Sequence, residues 1–206
     1  MDRTGRTAAG LVAAIGWTAL AIQLPLSLTA SHAAGRSTAG ALVLFFSYFT
    51  ILTNILVAVV MTALALGRRV STSLAGAATL NILVVGLVYS AVLRAIWTPE
   101  GWQKVADHLL HDVVPVAALA VWLIFVPKGR LSFLNLPVWL LYPLAFLGWS
   151  LARGSLDGWY PYPFLDAGRL GLAVVLRNAL VVTVLFLTLG ALLVVLDRWL
   201  GRGRAP

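Results

Sequence analysis

The chain has 206 residues, of which 61% are hydrophobic and 11% charged, and it contains no cysteine. Its mean hydropathy of +0.94 indicates an integral membrane protein, because a chain of this composition does not dissolve in water. The lack of cysteine excludes disulfides, thiolate catalysis and cysteine-ligated zinc.

Apolar stretches long enough to cross a bilayer recur along the sequence. A helix needs about 20 apolar residues to span the hydrocarbon core, and continuous rather than alternating hydrophobicity favours helices over β-barrel strands. The sequence therefore predicts an all-α, polytopic membrane protein whose residues 1–206 form a single transmembrane domain. The six predicted helices are approximately 8–30, 42–66, 76–98, 105–126, 133–152 and 171–197.

The net charge of +8 is distributed unevenly along the chain. Basic residues mark the cytoplasmic side of membrane proteins. With the N-terminus inside, most of them fall in inner segments, which predicts that both termini are cytoplasmic in a multi-pass cell-membrane protein of bacterial plasma-membrane type. Nucleic acid is not expected as a partner. The inner basic residues are Arg3, Arg6, Arg68, Arg69, Lys128, Arg130, Arg198, Arg202 and Arg204.

The first apolar segment has two interpretations. Arg3 and Arg6, an apolar run and the sequence Ser31-His32-Ala33 form a loose signal-peptide pattern. The apolar run is longer than in most signal peptides, so we expect an uncleaved first helix. Cleavage would leave five helices and an outside N-terminus.

The second predicted helix carries polar side chains, which a helix that faces only lipid would lack. Ser47, Thr50 and Asn54 stand at i, i+3 and i+7 and are predicted to share one face. Such residues often bond to their own helix or join neighbouring helices, which is a purely structural role.

The fourth predicted helix carries a stronger anomaly, His108-Leu109-Leu110-His111-Asp112. His108, His111, Asp112 and Pro115 are spaced to share one face. Ionisable groups at membrane depth are costly and usually face a cavity, so this stripe predicts a functional site.

The polar residues of the second and fourth predicted helices are expected to lie in the outer half of the membrane. Two further helices are predicted to contribute polar groups to that half. Arg94 lies near the outer end of the third helix, and Arg177 and Asn178 lie in the second turn of the sixth. All three are candidates for binding a carboxylate or stabilising an oxyanion. The loop before the sixth helix is predicted to contact lipid at headgroup depth, either as an aromatic belt or as a lid. Its candidate residues are Trp159, Tyr160, Tyr162 and Phe164.

Three chemical uses of these residues remain open. Histidine titrates near pH 6.5 and can take a proton from Thr50 or Ser47, with Asp112 or an asparagine such as Asn54 orienting the ring. Two imidazoles and a carboxylate also suit a metal ion. Arginines facing one acid, finally, suit a buried ion cluster in a transporter. The members of that cluster would be Arg94, Arg177 and Asp112.

Three stretches resemble the androgen-induced-gene family of multi-pass membrane threonine hydrolases. They are Tyr48-Phe49-Thr50-Ile51-Leu52, His108-Leu109-Leu110-His111-Asp112-Val113-Val114-Pro115 and Tyr162-Pro163-Phe164-Leu165-Asp166. When the roles of the family's residues are transferred to the matching positions, the resemblance implies that Thr50 is the nucleophile and His111 its partner. His108 matches a second histidine of the family. It also implies hydrolysis of esters that link a fatty acid to a hydroxyl-bearing fatty acid.

The sequence and the resemblance together therefore predict a compact membrane hydrolase of lipid esters, with Thr50 and His111 catalytic, the site in the outer half of the membrane, and no cofactor or metal. Membrane lipids and a lipid ester are the predicted partners. The main alternative is a non-enzymatic lipid or ion carrier with a buried charge cluster. A metal-dependent membrane hydrolase is the third interpretation.

Overall fold

A computed structural model describes residues 1–202, and no β-strand occurs among them. Arg204, one of the predicted inner basic residues, lies outside this range. The α-helices are α1 (Arg3–Ala33), α2 (Thr38–Phe45), α3 (Phe49–Ala65), α4 (Thr72–Val88), α5 (Gly101–His108), α6 (Val114–Phe125), α7 (Asn135–Asp157), α8 (Ala167–Leu170) and α9 (Leu172–Gly201). Tyr89–Leu93 and Leu109–Val113 are π-helices, and Pro163–Leu165 is a 3₁₀ turn.

Among residues 1–202, five continuous helices are long and apolar enough to cross a membrane, and a bent pair makes a sixth candidate. The bent pair is α2 and α3, which meet at an angle of 74°. The all-helical class is thus confirmed, with five or six candidate spans. The predicted unbroken second helix, 42–66, is wrong. The five continuous spans are Arg3–Ala33, Thr72–Leu93, Gly101–Phe125, Asn135–Asp157 and Leu172–Gly201.

Ser47 stands at the break between α2 and α3, and its N–H donates to the carbonyl of Leu44, three residues back, at 3.0 Å. Its hydroxyl donates to the carbonyl of Val43 at 2.6 Å, and Tyr48 then adopts an extended backbone with ψ 128°. Apolar residues continue on both sides of the break, which is why hydrophobicity alone did not indicate it. Ser47 consequently lies outside α3, so the predicted stripe of Ser47, Thr50 and Asn54 does not form on one helix.

The described chain divides into two compact units. The first is Met1–Arg130, and the second begins at Leu131. In the first unit α1 packs against α2, α3, α5 and α6, while α4 packs against α3 and α6. A buried core of Ala19, Leu20, Phe45, Ile51 and Leu110 joins α1, α2, α3 and the second π-helix.

The second unit consists of α7, the 3₁₀ turn, α8 and α9. Two side chains of α9, one near each end of that helix, bond to other segments of the unit. Asp197 of α9 is buried and accepts the backbone N–H of Leu131 at 2.8 Å. Asn178 of α9 donates to the carbonyl of Phe164 at 3.0 Å. These bonds fix α9 against the segments that precede α7 and α8.

Candidate functional site

Thr50 lies in the first turn of α3, immediately after the bend, rather than in the middle of a straight helix. It is buried, with 9% of its surface exposed. The predicted second helix, 42–66, would have placed Thr50 deeper than the first turn. Instead the start of α3 places Thr50 at the same end of the first unit as the end of α4.

Asn54, one turn after Thr50, connects α3 to the second π-helix. Its fully buried side-chain amide donates to the carbonyl of Thr50 at 2.9 Å and to the carbonyl of Leu110 at 3.3 Å. A single nitrogen reaching both carbonyls holds the backbone of Thr50 beside the residue that precedes His111.

The π-helix Leu109–Val113 is held on two sides. Leu110 is buried in the apolar core, and Gly86 of α4 approaches the backbone at His111. A methyl group on Gly86 would lie 3.0 Å from the His111 carbonyl oxygen and 3.3 Å from Pro115. π-Helices insert one extra residue into a helix and often occur at functional sites.

His111 belongs to a buried cluster that also contains Tyr89 and Asp107. The Tyr89 and His111 rings stack with centroids 3.9 Å apart and planes inclined by 13°. The Asp107 carboxylate bridges them, since one oxygen accepts the Tyr89 hydroxyl and the other lies 3.3 Å from His111 Nδ1. His111 and Asp107 side chains are only 12% and 6% exposed.

The contacts of His111 define which ring nitrogen can act as a base. Nδ1 faces two acceptors of Asp107, the backbone carbonyl oxygen at 3.0 Å and the carboxylate oxygen at 3.3 Å. A nitrogen facing acceptors carries the proton, which leaves the lone pair of the neutral imidazole on Nε2. A carboxylate in this position also stabilises the imidazolium that forms when Nε2 accepts a proton.

Arg94, His108 and Asp112 form a second group, here called the surface cluster. Asp112 accepts from Arg94 through one oxygen and lies 2.8 Å from His108 Nδ1 through the other. The hydrogen bond with Asp112 raises the pKa of the Arg94 guanidinium, which lies beyond the end of its span, above its usual value. The exposed side-chain fractions are 43%, 49% and 35% for Arg94, His108 and Asp112.

The two clusters are adjacent but separate. Arg94 lies over the Tyr89 ring, 5.0 Å from its centroid, and so connects them. The predicted single stripe of His108, His111 and Asp112 does not hold, because each histidine binds the acid four residues away. Successive residues of a helix are turned by about 100°, so the two pairs, offset by one residue, face different surroundings.

The proposed metal ligands are divided in the same way. His108 and Asp112 contact each other, whereas His111 contacts Asp107. Across residues 1–202, no group of three histidine or acidic side chains is placed to hold a metal ion.

Two predicted anion-binding residues lie in the second unit. Arg177 is exposed on α9, and Asn178 is half-buried with its amide bonded to the Phe164 carbonyl.

The aromatic loop is also packed within the second unit. Its four aromatic residues are half-buried: Trp159 lies under Arg153, Tyr160 packs on Gly154, and Tyr162 stacks on Phe164.

Asp107 and Tyr89 were not among the residues predicted to form the site. Asp107 falls in the first turn of the predicted helix 105–126, close to its outer end, and α5 begins earlier, at Gly101. The four-residue spacing between Asp107 and His111 is the signal that could have identified the acid. No comparable signal marks Tyr89, since tyrosine near the end of an apolar helix is typical of the membrane interface.

No protein-family model, curated protein or solved structure matches this chain.

Proposed function

We propose that the protein is a multi-pass cell-membrane hydrolase of lipid esters, with Thr50 as nucleophile and His111 as general base. The observation that carries this proposal is the Asn54 amide, which holds the backbones of Thr50 and Leu110 together. A second support is the buried cluster, in which Asp107 fixes a His111 tautomer suited to a base.

In the proposed reaction, His111 Nε2 takes the proton of the Thr50 hydroxyl as Oγ attacks the ester carbonyl carbon. The tetrahedral intermediate collapses, the ester C–O bond breaks, and the leaving alkoxide takes the proton from the imidazolium. Thr50 then carries the acyl group. A water molecule, deprotonated by His111, attacks this acyl-threonine, and the proton returns to Thr50 as the fatty acid leaves.

The buried cluster supplies three properties that this chemistry needs. Asp107 orients the imidazole through Nδ1 and compensates its positive charge during proton transfer. Tyr89 holds the second carboxylate oxygen and stacks on the ring, which restricts rotation of the imidazole. The apolar core around Leu110 limits access of water to one side of the site.

The substrate class follows from the setting and from the resemblance of the Thr50 and His111 stretches to threonine hydrolases. A nucleophile buried in an apolar helix meets substrates that partition into the bilayer. We propose a fatty-acid ester, with an ester of a hydroxyl-bearing fatty acid as the first candidate. The aromatic loop, Trp159–Phe164, is proposed to contact lipid at headgroup depth.

The test is ester turnover by the purified protein in detergent or nanodiscs, with fatty-acid esters as substrates. Thr50→Ala and His111→Ala should each lower the rate by about a hundredfold or more, while Thr53→Ala, a buried threonine one turn away, should retain it. A chelator should leave the rate unchanged. A wild-type protein that cleaves none of these esters, or a fully active Thr50→Ala, would overturn the proposal.

A proton or ion carrier is the second candidate, and the contact between the two clusters favours it. Arg94 joins the exposed His108 and Asp112 to Tyr89, which contacts the buried Asp107 and His111. Linked ionisable groups that run from surface to interior are typical of proton relays. Proteoliposomes that show proton flux lost in Asp107→Asn, without ester turnover, would favour this function.

A further inference from the structure

A pocket lies at the end of the first unit that is remote from the candidate site. It is formed where the start of α1 meets the end of α3, and its lining residues are Met1, Arg3, Arg6, Thr7 and Ala65. Thr50 and Ala65 stand at opposite ends of α3, about 22 Å apart at 1.5 Å per residue. The pocket therefore belongs to neither the buried cluster nor the surface cluster.

Arg6 is held in a defined position in this pocket. Its Nε donates to the carbonyl of Ala65 at 3.1 Å, which satisfies one carbonyl at the end of α3. Its guanidinium also lies against Gly67, where a methyl group would be only 2.8 Å from the guanidinium carbon and from one Nη. The contact with Ala65 uses one of the five N–H donors of arginine and fixes the direction of the others.

The charge around the pocket is strongly positive. Arg3 and Arg6 line it, and Arg68 and Arg69 follow the end of α3 directly. Asp2 is the neighbouring acid, and its carboxylate already accepts the Gly5 N–H as the cap of α1.

Apolar groups stand beside these arginines. Met1 lines the pocket and is 40% exposed, and Leu66, next to Ala65, is 64% exposed. A fixed guanidinium, a second arginine and adjacent exposed apolar side chains match a ligand with a phosphate and a hydrocarbon part.

We propose that this pocket binds the phosphate group of an anionic phospholipid. Arg6 donates to the phosphate oxygens from its fixed position, and Arg3 supplies the second positive charge. The glycerol and acyl chains then lie along Met1 and Leu66. A free inorganic phosphate would use the same arginines but gain nothing from the apolar side chains.

The test compares thermal unfolding of the purified full chain in detergent with added phosphatidylglycerol, phosphatidylcholine or inorganic phosphate. The variants are Arg3→Gln, Arg6→Gln and the double variant. Arg36→Gln is the matched control, because Arg36 is an exposed arginine just beyond the opposite end of α1.

Phosphatidylglycerol should raise the unfolding temperature of the wild-type protein and of Arg36→Gln equally. Phosphatidylcholine should raise neither. The double variant should lose most of the shift that phosphatidylglycerol causes. An unchanged shift in the double variant, or an equal loss in Arg36→Gln, would overturn the proposal. A shift that inorganic phosphate reproduces in full would assign a free-phosphate site instead.

Native mass spectrometry gives a second measurement, which counts bound lipid directly. It needs only Arg3→Gln and Arg36→Gln, so it does not depend on whether Arg6→Gln folds. Arg3→Gln alone should bind phosphatidylglycerol roughly tenfold more weakly than Arg36→Gln, as expected for one lost charge-assisted contact. Equal retention of lipid by these two variants would contradict the site.

Discussion

The two acids of the fourth predicted span, Asp107 and Asp112, have different surroundings, and this difference predicts different energetic roles. Asp107 is buried between Tyr89 and His111, whereas Asp112 is partly exposed beside Arg94 and His108. Asp107→Asn should lower the free energy of unfolding by about 1–3 kcal/mol, because its buried partners lose a charged acceptor. Asp112→Asn should cost at most about 1 kcal/mol, as for exposed ion pairs.

Thermal or denaturant unfolding in one detergent would measure both variants under identical conditions. The two substitutions are chemically the same and five positions apart, so each is the control for the other. Equal effects, or a larger effect at Asp112, would contradict the buried position of Asp107.

The asparagines of α3 and α4 allow a second matched comparison. Asn54 and Asn81 are both fully buried, but within residues 1–202 Asn54 bonds to Leu110 of another helix, while Asn81 donates to Ala77 of its own helix. Asn54→Ala should therefore destabilise the protein by about 1 kcal/mol more than Asn81→Ala. It should also lower ester turnover, because the Thr50 backbone is no longer held beside the π-helix.

Unfolding and turnover measured on the same preparations would test this prediction. Should Asn81→Ala lower turnover as much as Asn54→Ala, the bridge between Thr50 and Leu110 would have no special role.

At this scale the sequence made His111 and Asn54 candidates because polar residues in apolar helices are conspicuous. It did not identify the acid that contacts His111. Asp107 lies inside the predicted helix 105–126, four residues before His111, but it is close to the outer end of that helix, where charged residues are usual. Its burial in the structure is what separates it from an ordinary surface acid.

Among helical elements, the two π-helices have the largest consequence for the site. Tyr89 begins the first, and His111 lies in the second. The extra residue in each shifts the faces that follow it, so the helical register differs before and after each segment. Neither segment contains a proline or a glycine that would mark a change in the helix, which is why the sequence did not predict them.

Close approach between α4 and the second π-helix depends on Gly86, and this predicts the effect of a methyl group there. Gly86→Ala would bring a carbon to 3.0 Å from the His111 carbonyl oxygen, so we expect destabilisation of about 1–3 kcal/mol and a displaced His111. Gly148→Ala in α7 is the control, since nothing lies within 4 Å of the added methyl group.

The control should be neutral or stabilise the protein by up to about 1 kcal/mol, because alanine favours helices over glycine. Unfolding temperatures of the two variants provide the comparison. Similar temperatures for Gly86→Ala and wild type would show that α4 does not approach the π-helix this closely.

On the scale of the whole molecule, the sequence predicted the helical class and the approximate number of spans. Bilayer thickness dictates the length of an apolar helix, so composition carries this information directly. The division at Leu131 and the pairing of helices within the first unit were not predictable. They depend on small residues and buried polar contacts, such as Gly86 and Asn54, whose partners are distant in the sequence.

The predicted orientation can be tested with single cysteines, because the natural chain has none to remove. Ser37→Cys and Glu100→Cys lie in predicted outer segments, and Ser71→Cys lies in a predicted inner one. In intact cells, a membrane-impermeant maleimide should label the first two variants, and it should label Ser71→Cys only after permeabilisation. The reverse pattern would place the N-terminus outside and contradict the charge-based topology.

Covalent labelling with an alkyl fluorophosphonate probe tests the central claim most directly, because the nucleophile displaces fluoride and keeps the phosphonyl group. We predict that the adduct of the wild-type protein maps to Thr50. The adduct should persist in Thr50→Ser and Thr53→Ala and disappear in Thr50→Ala. In His111→Ala the rate of labelling should fall about a hundredfold. Undiminished labelling of Thr50→Ala, or an adduct on Ser47 in the wild-type protein, would contradict the assignment of Thr50 as the nucleophile.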